Sequence, residues 1–142
     1  MSTEENKVLG RRFFQEFWIQ KNLAVADELL AANFVDHTPG SPPGLPPGPE
    51  GHKQFGSLYF AAFPDIRATI EDMVVEGDRV VTRWRVQGTN TGSLFGMPAT
   101  NKSATLTGIT ISRLVNGKVV ETWTNFDTLG MLQQLGVVPA PG

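Results

Sequence analysis

Residues Thr38–Pro49 read TPGSPPGLPPGP, and nine of these twelve residues are proline or glycine. Six of the chain's ten prolines fall in this one stretch. Proline lacks a backbone donor and has a fixed φ, so the segment can be neither a helix nor a central strand. It must be an irregular, exposed loop, and it divides the chain into two parts of different periodicity. Such a loop reads either as a passive connector or as a flap beside a pocket.

Ahead of the loop the period is helical. Ser2 and Glu5 form a capping-box pattern before Val8, Leu9, Phe13, Phe14, Phe17 and Trp18, which share one broad apolar face. Asn22 can cap a second helix carrying Leu23, Ala26, Leu29 and Leu30, and Phe34–His37 is a short extended piece. Past the loop, Pro49-Glu50 opens a third helix with Phe55, Leu58, Tyr59, Ala62 and Phe63 at helical spacing. The remainder reads as four long strands: Ile66–Glu76, Arg79–Thr91, Lys102–Leu114 and the stretch after Asn116-Gly117, a strong hairpin turn. The predicted fold class is α+β, a four-stranded antiparallel sheet wrapped by three N-terminal helices. Strands this long twist and curl, with bulges, so the expected shape is a cone-shaped barrel with one open end. Its interior is a natural small-molecule pocket.

At 142 residues the chain reads as one domain, 1–142, and residues 138–142 read as a loosely attached tail. A net charge of −2 without any Lys/Arg run gives no reason to expect nucleic acid or an anionic membrane. The start, MSTEENKV, has no signal-peptide character, and no apolar run approaches the roughly 20 residues that span a bilayer, so the expected location is cytoplasmic. With no cysteine, thiolate zinc sites and a cysteine nucleophile are excluded. His37 and His52 are not spaced as helical metal ligands, and no phosphate-cradling or nucleophile-elbow pattern occurs, so neither a metal nor a cofactor is expected.

Acid–base chemistry by side chains remains. In Lys118–Gly136, Val119, Glu121, Trp123, Asn125 and Asp127 alternate on one face of a strand, and Leu129, Leu132 and Leu135 then mark a short helix stopped by Gly136. Asp127 stands where strand becomes helix, either as an N-cap or as a carboxylate at a pocket. His37, Glu121 and Asp36 are further candidates, with Asn125 as polar support and Trp84, Trp123 and Phe95 as aromatic walls. Glu121 can instead pair with Arg83 or Arg85 on a neighbouring strand, and His52 reads as solvent-facing.

Several fragments, in order, carry a family resemblance: Phe34-Val35-Asp36-His37, Ala62-Phe63-Pro64-Asp65, Glu76–Val81, Gly88–Gly92, Phe95–Thr100, Asn116-Gly117-Lys118 and Leu132–Gly136. Together they resemble the SnoaL-like polyketide cyclases, or ester cyclases, of the nuclear-transport-factor-two-like superfamily. The resemblance implies the cone fold and often a homodimer through the outer sheet face; long strands with one face on the core leave such a face to cover, with Glu71, Arg83, Arg85 and Arg113 as its expected polar margin. It also implies a cofactor-independent aldol ring closure of a hydrophobic or aromatic substrate. Asp127 falls at the family's acid–base aspartate and His37 at its pocket histidine, so the two should share a pocket. Asn125, Trp123, Trp84, Phe95, Asn90 and Trp18 form the expected substrate-binding set, with Asn90 standing where many relatives carry a second histidine. The same cone could instead serve a non-catalytic binding protein, an epoxide hydrolase or an isomerase.

Overall fold

The computed structural model describes residues 2–39 and 41–139, so residues 140–142 of the expected tail lie outside the described residues. Helix α1 (Thr3–Phe14) is capped by Ser2, whose hydroxyl oxygen accepts the Glu5 backbone N–H at 3.1 Å. A π-helical turn, Gln15–Ile19, continues it, followed by the short α2 (Val25–Leu29). The wide turn carries Phe17, which is fully buried, and Trp18. Strand β1 (Leu30–Asp36) leads into the irregular Pro/Gly loop and then α3 (Gly48–Ala62). Four long strands follow, β2 (Arg67–Glu76), β3 (Arg79–Thr89), β4 (Ser103–Val115) and β5 (Lys118–Phe126), before α4 (Thr128–Gln134).

The antiparallel meander β2–β5 is as expected, and Asn116 and Gly117 both adopt positive φ (50° and 79°) in its last turn. The strand count is not: among the described residues the sheet has five strands, in the order β1-β5-β4-β3-β2. The fifth, β1, contains most of the short extended piece and pairs parallel to β5. A parallel edge partner far away in sequence leaves no hairpin signal, and Leu29 and Leu30 had read as part of a helical stripe.

Two bulges set the curvature and the facing of the side chains. In β2 the register shifts between Ile70 and Asp72, and in β5 it shifts where Arg113 pairs with Glu121 but Leu114 with Val119. Val120 is the extra residue in β5, so Val119 and Thr122 are both buried while Glu121 lies on the opposite face. The inner face carries Val80, Thr82 and Trp84 of β3, Leu106, Thr110 and Ser112 of β4, and Thr122, Thr124 and Phe126 of β5. The outer face carries ion pairs: Arg83 with Asp72 at 2.5 Å, Arg85 with Glu71 at 3.1 Å and Arg113 with Glu121 at 2.6 Å. Glu121 therefore takes Arg113 rather than Arg83 or Arg85.

One apolar cluster joins Phe13, Phe17, Leu29, Leu30 and Phe34 to Val80, Leu114 and Val119. A second joins Phe14, Tyr59, Phe63 and Ile66 to Trp84 and Leu106, with Met131 and Leu135 of α4 packed on it. No helix among the described residues is long and apolar enough to cross a membrane.

Gly108 holds the second cluster together by what it lacks. It pairs with Trp84 on one side and Phe126 on the other, and a Cβ there would stand 2.4 Å from Trp84 Cζ2 and 2.8 Å from Phe126 Cβ. Gly108→Val should thus destabilise the fold by about 1–3 kcal/mol, seen as a lower urea midpoint with an unchanged m-value. Thr107→Val, on the exposed face, should stay within about 0.5 kcal/mol of the parent.

Candidate functional site

The concave sheet and helices α1 and α3 enclose an apolar chamber of about 80 Å³. It adjoins a wider mouth of about 330 Å³, and Thr38, Phe55, Tyr59, Thr124 and Phe126 line both. The helix wall is aromatic, with Phe13, Phe14, Trp18, His52, Phe55 and Tyr59. The sheet wall is a field of hydroxyls, with Thr82, Thr110, Ser112, Thr122 and Thr124 around Trp84. Pro39 and Ser41 of the Pro/Gly loop line the mouth, so this segment is a wall of the pocket and more than a connector.

His52 is the residue the sequence reading misplaced. It points into the cone, not into solvent, and its ring is surrounded by Phe17 (centroids 4.5 Å apart), Phe13 (5.3 Å), Phe34 (5.7 Å) and Trp18 (6.0 Å). Among the described residues neither Nδ1 nor Nε2 has a hydrogen-bond partner. Burial pushes its pKa down to about 4, and the negative charge of Asp36 only partly offsets this, so the imidazole is neutral at neutral pH. The signal was present: His52 precedes Phe55 and Tyr59 by three and seven positions, on their helical stripe. Its position in the first turn concealed it.

Asp36, at the end of β1, supplies a carboxylate to the same chamber. Its Oδ1 accepts the Thr38 backbone N–H at 2.9 Å, the Thr38 hydroxyl, and the Thr122 hydroxyl at 3.3 Å. These bonds fix the carboxylate while its other oxygen stays outside them. Tyr59 adds a phenol whose pKa burial raises to about 12, which keeps its proton in place.

The expected site residues separate into two groups. Trp84 and Trp18 line the chamber, and Phe95 and Asn125 line the mouth. The other four are elsewhere. Asp127 is exposed and caps α4, its Oδ1 accepting the Gly130 N–H at 2.9 Å. His37 lies on the outer side of the sheet, bonded to Glu121 at 2.8 Å and stacked on Trp123 at 5.1 Å. Arg79 also covers the Trp123 ring at 5.2 Å, and the His37 and Arg113 bonds hold the Glu121 pKa below the ordinary carboxylate range. Asn90 is buried as a latch: its amide donates to the Ala62 and Gly92 carbonyls (3.3 and 2.8 Å) and its oxygen accepts the Thr100 N–H at 2.9 Å. Asp127 and His37 therefore do not share a pocket, because β5 presents Thr122, Thr124 and Phe126 inward rather than the Glu121–Asn125 set. No group of three or more Asp, Glu or His side chains gathers as a metal-binding cluster among the described residues.

A buried neutral histidine makes stability depend on pH. The unfolded chain takes up a proton near 6.5 that the folded chain refuses until about 4, so stability is lost as pH falls through that window. Between about pH 7 and about pH 5 the loss should be on the order of 2 kcal/mol in urea unfolding. His52→Phe should flatten this slope, and a variant that keeps it would show that another group is responsible. Glu121 adds a further acid loss only at lower pH, since its folded pKa lies below the carboxylate value of 4.5.

The backbone superposes on solved structures over nearly its full length. TsrD from Streptomyces laurentii is 24% identical with a TM-score of 0.85, covering 97% of this chain and 99% of its own, and it shows the fold. IdmH from Streptomyces antibioticus, a candidate polyketide cyclase, is 34% identical with a TM-score of 0.79, over 92% of this chain and 98% of its own. A candidate polyketide cyclase from Bacillus cereus is 30% identical with a TM-score of 0.80, over 97% and 87%. No curated protein matches the sequence. Residues 8–135 match the model of the SnoaL-like polyketide cyclases, and the chain belongs to that family.

Proposed function

We propose that this protein is a cofactor-independent cyclase that closes a ring in a polyketide-like substrate by an intramolecular aldol reaction. The observation that carries this reading is His52, a neutral imidazole whose two nitrogens are unpartnered among the described residues, in an apolar chamber whose lining includes the solvent-exposed Asp36. Asp36, fixed through Oδ1, takes a proton from a carbon flanked by carbonyls. The N–H of His52 and the hydroxyl of Tyr59 stabilise the enolate oxygen. Triosephosphate isomerase uses a neutral histidine in the same way, and ketosteroid isomerase an aspartate base in an apolar pocket. The enolate carbon then attacks the second carbonyl, and the new alkoxide recovers the proton from Asp36. The narrow chamber holds the chain folded for closure.

Conversion of a linear diketone to its cyclic β-hydroxy ketone, followed by chromatography, tests the assignment. Asp36→Asn should lower kcat by about a hundred- to ten-thousand-fold, and Asp127→Asn should leave it near the parent value. The opposite pattern would return the acid–base role to the α4 cap. A non-catalytic binding module is the second reading, favoured by the solvent-exposed position of Asp127. Saturable binding of the diketone without any turnover would support it. The outer sheet face is proposed to join two copies, since Val74 and Ile109 are 63% and 46% exposed there. Sedimentation should give twice the chain mass, and a monomer at high concentration would remove that claim.

A further inference from the structure

The sheet wall contains a hydrogen-bonded chain that this acid–base reading leaves unused. The Trp84 Nε1–H donates to the Thr110 hydroxyl oxygen at 3.0 Å, and that oxygen lies 2.9 Å from the Thr124 hydroxyl oxygen. Strand register builds the chain: Thr110 pairs directly with Thr124, and Trp84 pairs with Gly108, whose missing side chain gives the indole room. An indole nitrogen only donates, so the direction of the first bond is fixed.

The three groups carry three polar hydrogens, and the two bonds use two of them. If Thr110 donates to Thr124, the unused hydrogen is on Thr124. If Thr124 donates to Thr110, it is on Thr110. Both threonines line the chamber, and Thr124 also lines the mouth, so either arrangement offers one O–H donor to the cavity. Bonds in series polarise one another and strengthen that donor.

We infer that the Trp84–Thr110–Thr124 chain is an oxygen-anchoring subsite that takes a neutral ketone oxygen of the bound molecule and fixes its depth in the cone. The inference rests on the cavity being the substrate site, as proposed above, and requires no turnover. Thr110 and Thr124 touch the ligand, and Trp84 positions them.

The probes are acetophenone and α-methylstyrene, which share a shape and differ by a carbonyl oxygen in place of a methylene. Acetophenone should bind more tightly than α-methylstyrene by about two- to tenfold, and the double variant Thr110→Val, Thr124→Val should abolish the preference while still binding α-methylstyrene. In the unmodified protein acetophenone should move the Trp84 indole N–H proton resonance downfield and α-methylstyrene should not, a readout that depends on no variant. Equal binding of the two probes, no binding of the ketone, or an unresponsive Trp84 resonance would each overturn the inference. All these readouts report binding, so they stand or fall separately from the effect of Asp36→Asn on turnover.

Discussion

The placement of Val120 as one extra residue in β5 governs which chemistry the cavity contains. A strand has a side-chain period of two, so a single inserted residue exchanges the faces on either side of it. Val119 fills the apolar cluster below the bulge, and Thr122, Thr124 and Phe126 face the chamber above it. Glu121 and Trp123 are turned outward to meet Arg113, Arg79 and His37. Strands β3–β5 thus keep their charges outside and present hydroxyls to the aromatic helices.

That division produces two distinct environments within one cavity. The imidazole of His52 is enclosed by rings and stays uncharged. The carboxylate of Asp36 sits at a strand end, where Thr38 and Thr122 supply hydrogen bonds. An unpartnered buried polar group is unfavourable by about 1–3 kcal/mol, and His52 carries two such nitrogens beside the open chamber. The cavity is in this sense an unfinished hydrogen-bond network with aromatic walls.

Most of the architecture was legible because its signals are local. Capping at Ser2, the Asn116-Gly117 turn and helical spacing in α3 each arise from neighbouring residues. The parallel pairing of β1 was not legible, because its partner lies far along the chain. The expected meeting of Asp127 and His37 in one pocket failed because the row Glu121, Trp123, Asn125 was read as one continuous face and nothing local announces the bulge that turns Glu121 and Trp123 outward. Trp84, Trp18, Phe95 and Asn125 were placed at the cavity because aromatic residues and the mouth loops gather there whichever face is chosen. His52 shows the converse: its helical spacing indicated burial, and its place near the start of the helix hid that.

The β1–β5 pairing also orders the folding of the molecule in time. Thr122 and Asp36, joined by a hydrogen bond, are 86 positions apart. Contacts of such long range close late, after local helices and hairpins have formed. During synthesis β1 has no sheet partner until β5 has been made, although α2 and α3 can already pack against it. The Asp36 carboxylate therefore gains its last hydrogen bond late in folding, and a chain stopped short of β5 would lack both the closing strand and the Thr122 hydroxyl, leaving Asp36 to Thr38 alone.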